Sequence, residues 1–281
     1  MPNFFATIAA LAIAATPALA PAAPQASSSH ATFLGFDRNQ YPGDAALPEL
    51  RRTFSFAGYW LNNPPGENFD DWLGKRAALR NAGFGFLVLF DGRLDNQLKR
   101  ARDAAALGAA DALLAVSTAR GEGFSPRTII FLDQEEGGRM LPEQSAYLFA
   151  WIDGVIAAGF RAGVYCSGMP ASEGKGQFIV TANDIRDHAA GRDIAFFVYN
   201  DACPPSSGCV YPPNAPQPSA SGVPFASVWQ FAQSPRRREF TAQCAATYGK
   251  DGNCYAAATG VAGTDFLDLD SATSPDPSGG R

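Results

Sequence analysis

Histidine is scarce in this sequence, which has only His30 and His188 among its 281 residues. Zinc hydrolases take many of their ligands from histidine, so the scarcity argues against a histidine-rich metal site. It also argues against a nucleophilic cysteine, because such a residue needs a neighbouring base and neither histidine has a supporting motif. We therefore expect no metal and no cofactor.

Positive charge is also in short supply, with 22 lysines and arginines against 27 acidic residues and a net charge of -5. This balance gives no electrostatic reason to expect nucleic acid or an anionic membrane as a partner. One basic run occurs at residues 236–238, and we interpret it as a solvated loop. After residue 30 no apolar run is long enough to span a bilayer, so no stable membrane span is expected after export.

The first 30 residues have the pattern of a signal peptide followed by a low-complexity linker. The uncharged apolar run FFATIAALAIAATPALA ends in small residues and precedes PAAPQASSS. An uncleaved membrane anchor is the alternative that the length permits. We expect the protein to be secreted or periplasmic.

Five cysteines fit an oxidising compartment. Cys203 and Cys209 bracket one short loop, and Cys244 and Cys254 bracket another, so two local disulfides are the simplest pairing. The fifth, Cys166, lies in the apolar run AGVYC and is expected to be a buried free thiol.

Strand-like runs alternate with helical stretches from residue 33 onward, which favours a parallel sheet with helical crossovers. We predict an α/β fold, a TIM-like (β/α) barrel that is irregular and has few helices in its last third. The barrel domain is expected to cover residues 31–271, and residues 272–281 are expected to be a disordered tail. The predicted strands are 33–37, 55–61, 85–90, 127–133, 161–167, 194–200, 226–232 and 263–270, and the predicted helices are 69–83, 94–120, 142–159 and 181–190.

Acidic residues occur at the ends of several predicted strands. Asp37 ends the first strand, Asp133 and Glu135 end the fourth, and Asp268 and Asp270 lie on the last. Barrel enzymes place their chemistry at the face where the carboxyl ends of the parallel strands open. Distant parts of the chain are therefore expected to supply acids to one pocket. For the two residues of the last strand, a turn or helix-capping role is the alternative.

The segment RTIIFLDQEEGGR carries a candidate catalytic pair. Asp133 and Glu135 are two residues apart, so their side chains point to the same side of an extended chain at the spacing used by glycosidase carboxylates. Like charges this close raise the pKa of one member, as a general acid requires. Glu136 is expected to face away, and Gly137 and Gly138 to leave room for a substrate. A solvated strand end, or pairing of these acids with Arg139, is the alternative.

The order of five motifs resembles a known family. GFDRNQYPG, IIFLDQE, GFRAGVYCSG, VWQFA and DFLDLD follow one another as in the Chalaropsis-type lysozymes, glycoside hydrolase family 25. The likeness is closer to a group of exported glycoside-hydrolase-like proteins, the domain of unknown function 1906, whose helix before the fourth strand is similar to GAADALLAVSTA. The resemblance covers roughly residues 33 to 271. It implies a secreted barrel that cleaves peptidoglycan between N-acetylmuramic acid and N-acetylglucosamine.

The resemblance also implies roles for the acids. Glu135 would be the general acid and base. Asp133 would hold the 2-acetamido group of the substrate or stabilise an oxocarbenium-like transition state. Asp37 would tune these two residues and bind sugar, and Asp268 would complete the acidic cluster.

The resemblance further places Tyr165, Trp229 and Gln230 in the substrate cleft, although the two aromatic residues could instead belong to the core. The third strand lacks the Tyr-His-Phe-like run that the lysozymes often show, and Asn62 and Asp91 are expected near the cleft mouth instead.

Two functions follow from this sequence. We predict an exported, monomeric glycoside hydrolase that acts on peptidoglycan or a related N-acetylated polysaccharide by carboxylate acid/base catalysis. The alternative is a non-catalytic carbohydrate- or cell-envelope-binding barrel that has retained an acidic cleft.

Overall fold

The computed structural model of this chain describes residues 31–200, 215–232 and 267–281. The predicted signal segment, the four cysteines expected to pair, and the basic run at residues 236–238 lie outside the described residues.

Eight of the strands in the described residues form a closed barrel, and the other two form a separate hairpin. The strands are β1 (Phe33–Asp37), β2 (Phe56–Trp60), β3 (Gly85–Asp91), β4 (Ile129–Asp133), β5 (Arg161–Ser167), β6 (Pro170–Gly174), β7 (Gln177–Val180), β8 (Ile194–Tyr199), β9 (Val228–Ala232) and β10 (Asp268–Ala272). The order around the barrel is β1-β10-β9-β8-β5-β4-β3-β2, with β6 and β7 as the hairpin. The predicted TIM-like α/β barrel is confirmed.

The last barrel strand runs in the opposite direction to the others. In the barrel, the neighbouring strands other than β10 pair in parallel, whereas β10 is antiparallel to both β9 and β1. Asp268 lies opposite Asp37, and Asp270 lies opposite Gly35. The start of β10 therefore lies at the same rim of the barrel as the ends of the parallel strands.

The predicted helices are shorter or divided in the structure, and the first helix was not predicted. They are α1 (Leu47–Thr53), α2 (Arg76–Asn81), α3 (Asp95–Leu98), α4 (Ala104–Gly121), α5 (Pro142–Ala157) and α6 (Thr181–Asp187). The helix predicted from 94 to 120 is divided because Asp103 caps α4, its side chain accepting a hydrogen bond from the backbone N–H of Ala106. No helix in the described ranges is both apolar and long enough to cross a membrane.

The two long helices pack closely against each other through small residues. A Cβ atom on Gly108 of α4 would lie 2.1 Å from the backbone oxygen of Tyr147 on α5. One on Gly154 of α5 would lie 2.7 Å from the Cβ of Ala112. The small side chains of the alanine-rich helix α4 therefore allow it to pack closely against α5. Ala112, Ala115 and Ala119 of α4 are buried.

Aromatic rings fill the barrel interior where glycines leave space. A Cβ on Gly35 would lie 2.1 Å from the ring of Phe56, and one on Gly163 would lie 2.3 Å from that of Phe131. Close packing of this kind leaves no room for a larger side chain at either glycine. Cys166 of β5 is buried as a free thiol, in agreement with the prediction.

The prediction of a disordered tail is wrong, because residues 275–281 pair with the barrel. The backbone N–H of Val88 donates to Oγ of Ser278 at 2.8 Å, and that of Phe86 donates to Oδ1 of Asp276 at 2.8 Å. Ser278 also exchanges backbone hydrogen bonds with Phe86 and Ile129. This segment thus lies between the first residues of β3 and β4 and satisfies backbone groups that would otherwise be unpaired.

Candidate active site

Four acidic residues from three strands line one cavity at the rim of the barrel. Asp37 ends β1, Asp133 ends β4, Glu135 follows two residues later, and Asp268 begins β10. The cavity has a volume of about 50 Å³. We call it the acidic pocket; its described lining residues include no lysine or arginine, and they are Asp37, Asn39, Trp60, Pro65, Leu89, Asp133, Glu135, Tyr165, Phe197, Gln230 and Asp268.

Asp268 reaches this pocket by a route that differs from the prediction. The sequence placed it on a strand that runs parallel to the others, but β10 is antiparallel. Because of the reversed direction, the first residue of β10 lies beside Asp37. Asp270, two residues further along, lies deeper in the barrel.

A hydrogen-bond network connects the pocket walls through Gln230. Its Nε2 donates to Oδ2 of Asp37 at 2.9 Å and lies 3.5 Å from Oδ2 of Asp268. Its Oε1 accepts from the hydroxyl of Tyr165 at 2.8 Å. Gln230 is 2% exposed, so it holds Asp37 of β1 and Asp268 of β10 in place from the interior of the barrel.

Asp37 has an unusual affinity for protons. Burial raises the pKa of Asp37 to about 6, and the charge of Glu135 contributes to the increase. Hydrogen bonds with Gln230 and with Asp270 oppose the increase. Asp37 is therefore neutral below about pH 6 and ionised above it.

Asp133 favours its neutral form more strongly than Asp37 does. Its side chain is 6% exposed, and no described residue forms a hydrogen bond with its buried Oδ1 atom. Burial raises the pKa of Asp133 well above its usual range, and the charges of Glu135, Asp91 and Asp37 raise it further. A buried oxygen without a partner leaves a position at which a ligand can form a hydrogen bond.

Glu135 has a different environment from Asp133. It is exposed and lies on the loop after β4, where the hydroxyl of Tyr199 donates to its backbone oxygen at 3.1 Å. Two carboxyl groups in contrasting environments, one buried and one solvated, are the arrangement used when one acid must hold a proton and the other exchange it.

The remaining charged residues of this loop have structural partners. Oε2 of Glu136 accepts from the backbone N–H of Asp95 and from Nε2 of Gln144, each at 2.7 Å, so it faces away from the pocket. Arg139 forms a bidentate ion pair with Glu173 and a longer one with Asp184. Arg139 is thus engaged by acids other than the candidate pair.

The two glycines of the loop allow its backbone conformation and its close packing. Gly138 has a φ of 102°, in the region that favours glycine, and it exchanges two hydrogen bonds of 2.8 Å with the hydroxyl of Thr181. A Cβ on Gly137 would lie 3.3 Å from the side chain of Ser167. The loop that carries Glu135 is therefore hydrogen-bonded to α6 and lies close to β5.

A second and larger cavity, of about 400 Å³, adjoins the first. It shares Pro65 and Glu135 with the acidic pocket, and we call it the outer pocket. Asp91 lines it, and burial together with the charge of Glu135 raises the pKa of Asp91 to about 7. Its described lining residues are Asn62, Pro65, Gly66, Phe90, Asp91, Gly92, Arg93, Leu94, Gln97, Asp111, Leu114 and Glu135.

Two polar residues of the outer pocket have their side chains engaged. The amide of Asn62 donates to the backbone oxygen of Asp91 at 3.0 Å and accepts from its N–H at 2.7 Å. Arg93 forms a bidentate pair with Asp111 at 2.6 and 2.9 Å, and Tyr147 donates to the same carboxylate. Asn62 therefore positions Asp91, and Asp111 has a structural role.

The aromatic residues are distributed differently from the prediction. Tyr165 lines the acidic pocket, with its ring 4.6 Å from that of Phe197. Trp229 is next to Gln230 on β9, so it points to the opposite side of the strand. It is 5% exposed, and its indole N–H donates to the backbone oxygen of Asn200 at 2.7 Å. Trp229 does not line the pocket formed by the described residues, and this part of the prediction is corrected.

Sequence reasoning missed Trp60 as a pocket residue. It ends β2, lines the acidic pocket and donates from its indole to the backbone oxygen of Arg38 at 3.1 Å. Its position at the carboxyl end of a predicted strand was a signal that could have identified it.

Comparison with protein families agrees with the resemblance seen in the motifs. Residues 73–194 match the family described as the Rv2525c-like, glycoside hydrolase-like domain. The predicted resemblance to a glycoside-hydrolase-like family is confirmed. No curated protein is similar in sequence to this chain.

Several solved structures resemble this chain at low sequence identity. An uncharacterized B. stearothermophilus protein is 18% identical with a TM-score of 0.51, covering 85% of this chain and 95% of its own. The Mycobacterium tuberculosis Tat-secreted protein Rv2525c, in complex with L-tartrate, is 14% identical with a TM-score of 0.50, covering 88% and 97%. The catalytic domain of endolysin ply40, from bacteriophage P40 of Listeria monocytogenes, is 17% identical with a TM-score of 0.45, covering 87% and 95%. The first two establish that the fold is shared.

Proposed function

We propose that this protein is an exported glycoside hydrolase that cleaves peptidoglycan or a related N-acetylated polysaccharide. The observation that carries the proposal is the contrast between Asp133 and Glu135. Both line one pocket, but Asp133 is buried with a raised pKa, whereas Glu135 is exposed. Glycosidases use two carboxyl groups at one site, and contrasting environments allow the two to have different roles.

In this mechanism Glu135 is the general acid that protonates the glycosidic oxygen, and it then acts as the base that activates water. Its position at the junction of the two pockets supports this role, because a glycan chain lying across both would place a linkage beside Glu135. The larger outer pocket would hold one side of the chain.

Asp133 would bind the 2-acetamido group of the sugar. Its Oδ1 atom, buried and without a described partner, can accept a hydrogen bond from the acetamido N–H. Such a contact orients the acetamido oxygen toward the anomeric carbon, as substrate-assisted retention requires.

Asp37 and Gln230 would tune the properties of this pair, and Asp268 would complete the acidic cluster. An ionised Asp37 raises the pKa of Asp133 through its charge, and Gln230 holds Asp37 in place. Tyr165, through its hydrogen bond to Gln230, extends the same network to β5. Asp91, on the wall of the outer pocket, would contact the sugar there, on a backbone positioned by Asn62.

Export is supported by the apolar residues near the start of the chain and by the fold it shares with a Tat-secreted protein of Mycobacterium tuberculosis. We propose that the protein acts as a monomer on the cell wall or in the periplasm, with the polysaccharide as its partner.

One observation favours the second candidate function, a carbohydrate-binding barrel without turnover. The acidic pocket has a volume of only about 50 Å³, less than a sugar ring requires. Binding would then use the outer pocket, and the buried acids would have a structural role.

The decisive experiment compares the full chain with its Glu135→Gln variant on purified peptidoglycan and on chitin-type oligosaccharides. We expect new reducing ends, detected by mass spectrometry, from the unmodified protein. In the variant the rate should fall by about 10² to 10⁴, the usual contribution of a general acid. Glu136→Gln is the matched control, because that side chain faces away from the pocket and glutamine can still accept its hydrogen bonds.

Three results are distinguishable. Loss of products in Glu135→Gln but not in Glu136→Gln supports the hydrolase. Equal losses in both variants would indicate a loop that has lost its structure. Binding of the polymer without product from any of the three proteins would refute the hydrolase and favour the binding barrel.

A further inference from the structure

Asp270 is a buried acid that the mechanism above does not use. It lies opposite Gly35 on β1 and Gln230 on β9, in the interior of the barrel. Residues two apart on a strand share a face, so Asp270 points to the same side as Asp268 but deeper. Its exposed fraction is 0%, and it therefore has no access to solvent.

Neither carboxyl oxygen of Asp270 receives a hydrogen bond from an N–H or O–H group in the described part of the chain. A buried carboxylate without donors or a cation is strongly unfavourable. A neutral carboxylic acid avoids that cost, but its O–H group then needs an acceptor. The geometry thus demands a proton on Asp270 and an acceptor close to it.

The charged neighbours of Asp270 are few. Asp37 on β1 and Asp268 on β10 are the ionisable groups that act on it, and β9 presents the uncharged Gln230. Asp270 lies opposite Gly35, which is two residues from Asp37 and on the same face of β1, so the carboxyl group of Asp37 is the acceptor that Asp270 can reach. Burial first, and then the charge of Asp37, raise the pKa of Asp270 well above its usual range, while the shared hydrogen bond lowers the pKa of Asp37. The proton of this contact accordingly resides on Asp270.

We propose that Asp270 is a positioning residue, which remains protonated and donates its O–H to Asp37, so that Asp37 stays ionised beneath the acidic pocket. Asp37 then carries one hydrogen bond from Gln230 and one from Asp270. The ionised Asp37 in turn raises the pKa of Asp133, so Asp270 acts on the pocket without lining it. The inference rests on the proposed function only in that Asp37 belongs to the proposed site.

The direct test is the titration of Asp37, followed by carboxyl carbon NMR in the full chain and in two variants. Asp270→Asn keeps a donor at this position, so the pKa of Asp37 should remain within about half a unit of its value in the unmodified protein. Asp270→Leu removes the donor at similar volume, so the pKa should rise by about 1 to 2 units, the usual value of a charge-assisted hydrogen bond.

The opposite sign would overturn the proposal. If Asp270 were ionised, both substitutions would remove a negative charge beside Asp37 and lower its pKa. An unchanged value in Asp270→Leu would also refute it, because Asp37 would then not receive a hydrogen bond from Asp270.

A second measurement decides the question if Asp270→Leu does not fold. An acid whose pKa is higher in the folded than in the unfolded chain stabilises the fold less as the pH rises above about 3.9, its unfolded value. The free energy of unfolding of Asp270→Asn should therefore fall less steeply with pH than that of the unmodified protein. Equal slopes would show that Asp270 carries no such proton.

Neither measurement requires turnover. If the pKa of Asp37 shifts as expected while no glycan is cleaved, the positioning role of Asp270 is supported and the hydrolase function is refuted. If products form but the pKa of Asp37 does not shift, the hydrolase function is supported and the positioning role of Asp270 is refuted.

Discussion

At the scale of single residues, burial rather than residue type determines the pKa of the acids at and below the rim of the barrel. Asp37, Asp91, Asp133 and Asp270 all have raised pKa values, and burial is the first cause in each. The two-residue spacing predicted the Asp133 and Glu135 pair, because strand periodicity is visible in the sequence. It could not predict which acid keeps a proton, since that depends on solvent access contributed by distant strands.

The raised pKa of Asp91 predicts a stability that decreases with pH. The folded chain binds the proton of Asp91 up to about pH 7, whereas an unfolded aspartate loses it near 3.9. The contribution of Asp91 is therefore fully present below about pH 3.9 and is lost as the pH rises through 7.

Asp91→Asn should make the free energy of unfolding fall less steeply between pH 4 and 7. Urea denaturation at several pH values measures this slope. Asp187→Asn, at an exposed position at the end of α6, is the control and should leave the slope as it is. A slope that is the same in Asp91→Asn and the unmodified protein would contradict the assignment.

At the scale of elements, the loop after β4 is positioned by its neighbours. Glu136 connects it to α3, Arg139 to the β6–β7 hairpin, and Gly138 to α6. The sequence predicted α5 and α6 well because both have clear boundaries. It could not predict the direction of β10, since alternation of side chains is the same in parallel and antiparallel strands.

The close contact between α4 and α5 predicts a large effect of one methyl group. Gly108→Ala would place a Cβ 2.1 Å from the backbone oxygen of Tyr147, so the helices must separate. We expect a loss of stability of about 1 to 3 kcal/mol, as for overpacked cores, measured by thermal unfolding.

Gly121→Ala is the matched control on the same helix. Nothing lies within 4 Å of its added Cβ, and alanine favours helix more than glycine does. This variant should be neutral or slightly more stable. If Gly108→Ala were equally harmless, the helices would not be packed as closely as described.

At the scale of the whole molecule, the segment 275–281 completes the end of the barrel opposite to the site. Its composition, rich in proline, serine and glycine, predicted disorder. That prediction failed because the segment is held by backbone hydrogen bonds to β3 and β4, which composition does not reveal. The TIM-like architecture itself was predictable, since strand and helix patterns alternate along most of the chain.

Ser278→Ala tests this closure. The backbone N–H of Val88 loses its buried acceptor, so stability should fall by about 1 to 3 kcal/mol. Ser274→Ala is the control, because the hydroxyl of Ser274 accepts only a local hydrogen bond from Asp276. Chemical denaturation of both variants measures the difference, and equal values would show that the segment adds nothing to the barrel.

The hydrogen bonds between β3 and the segment 275–281 can form only late in biosynthesis. Val88 and its partner Ser278 are 190 residues apart in the chain. At the usual ribosomal rate of about 5 to 20 residues per second, β3 emerges about 10 to 40 s before that partner exists. Throughout this interval the backbone groups of the first residues of β3 and β4 that later bond to Ser278 are unpaired, which gives chaperones time to act on the nascent chain.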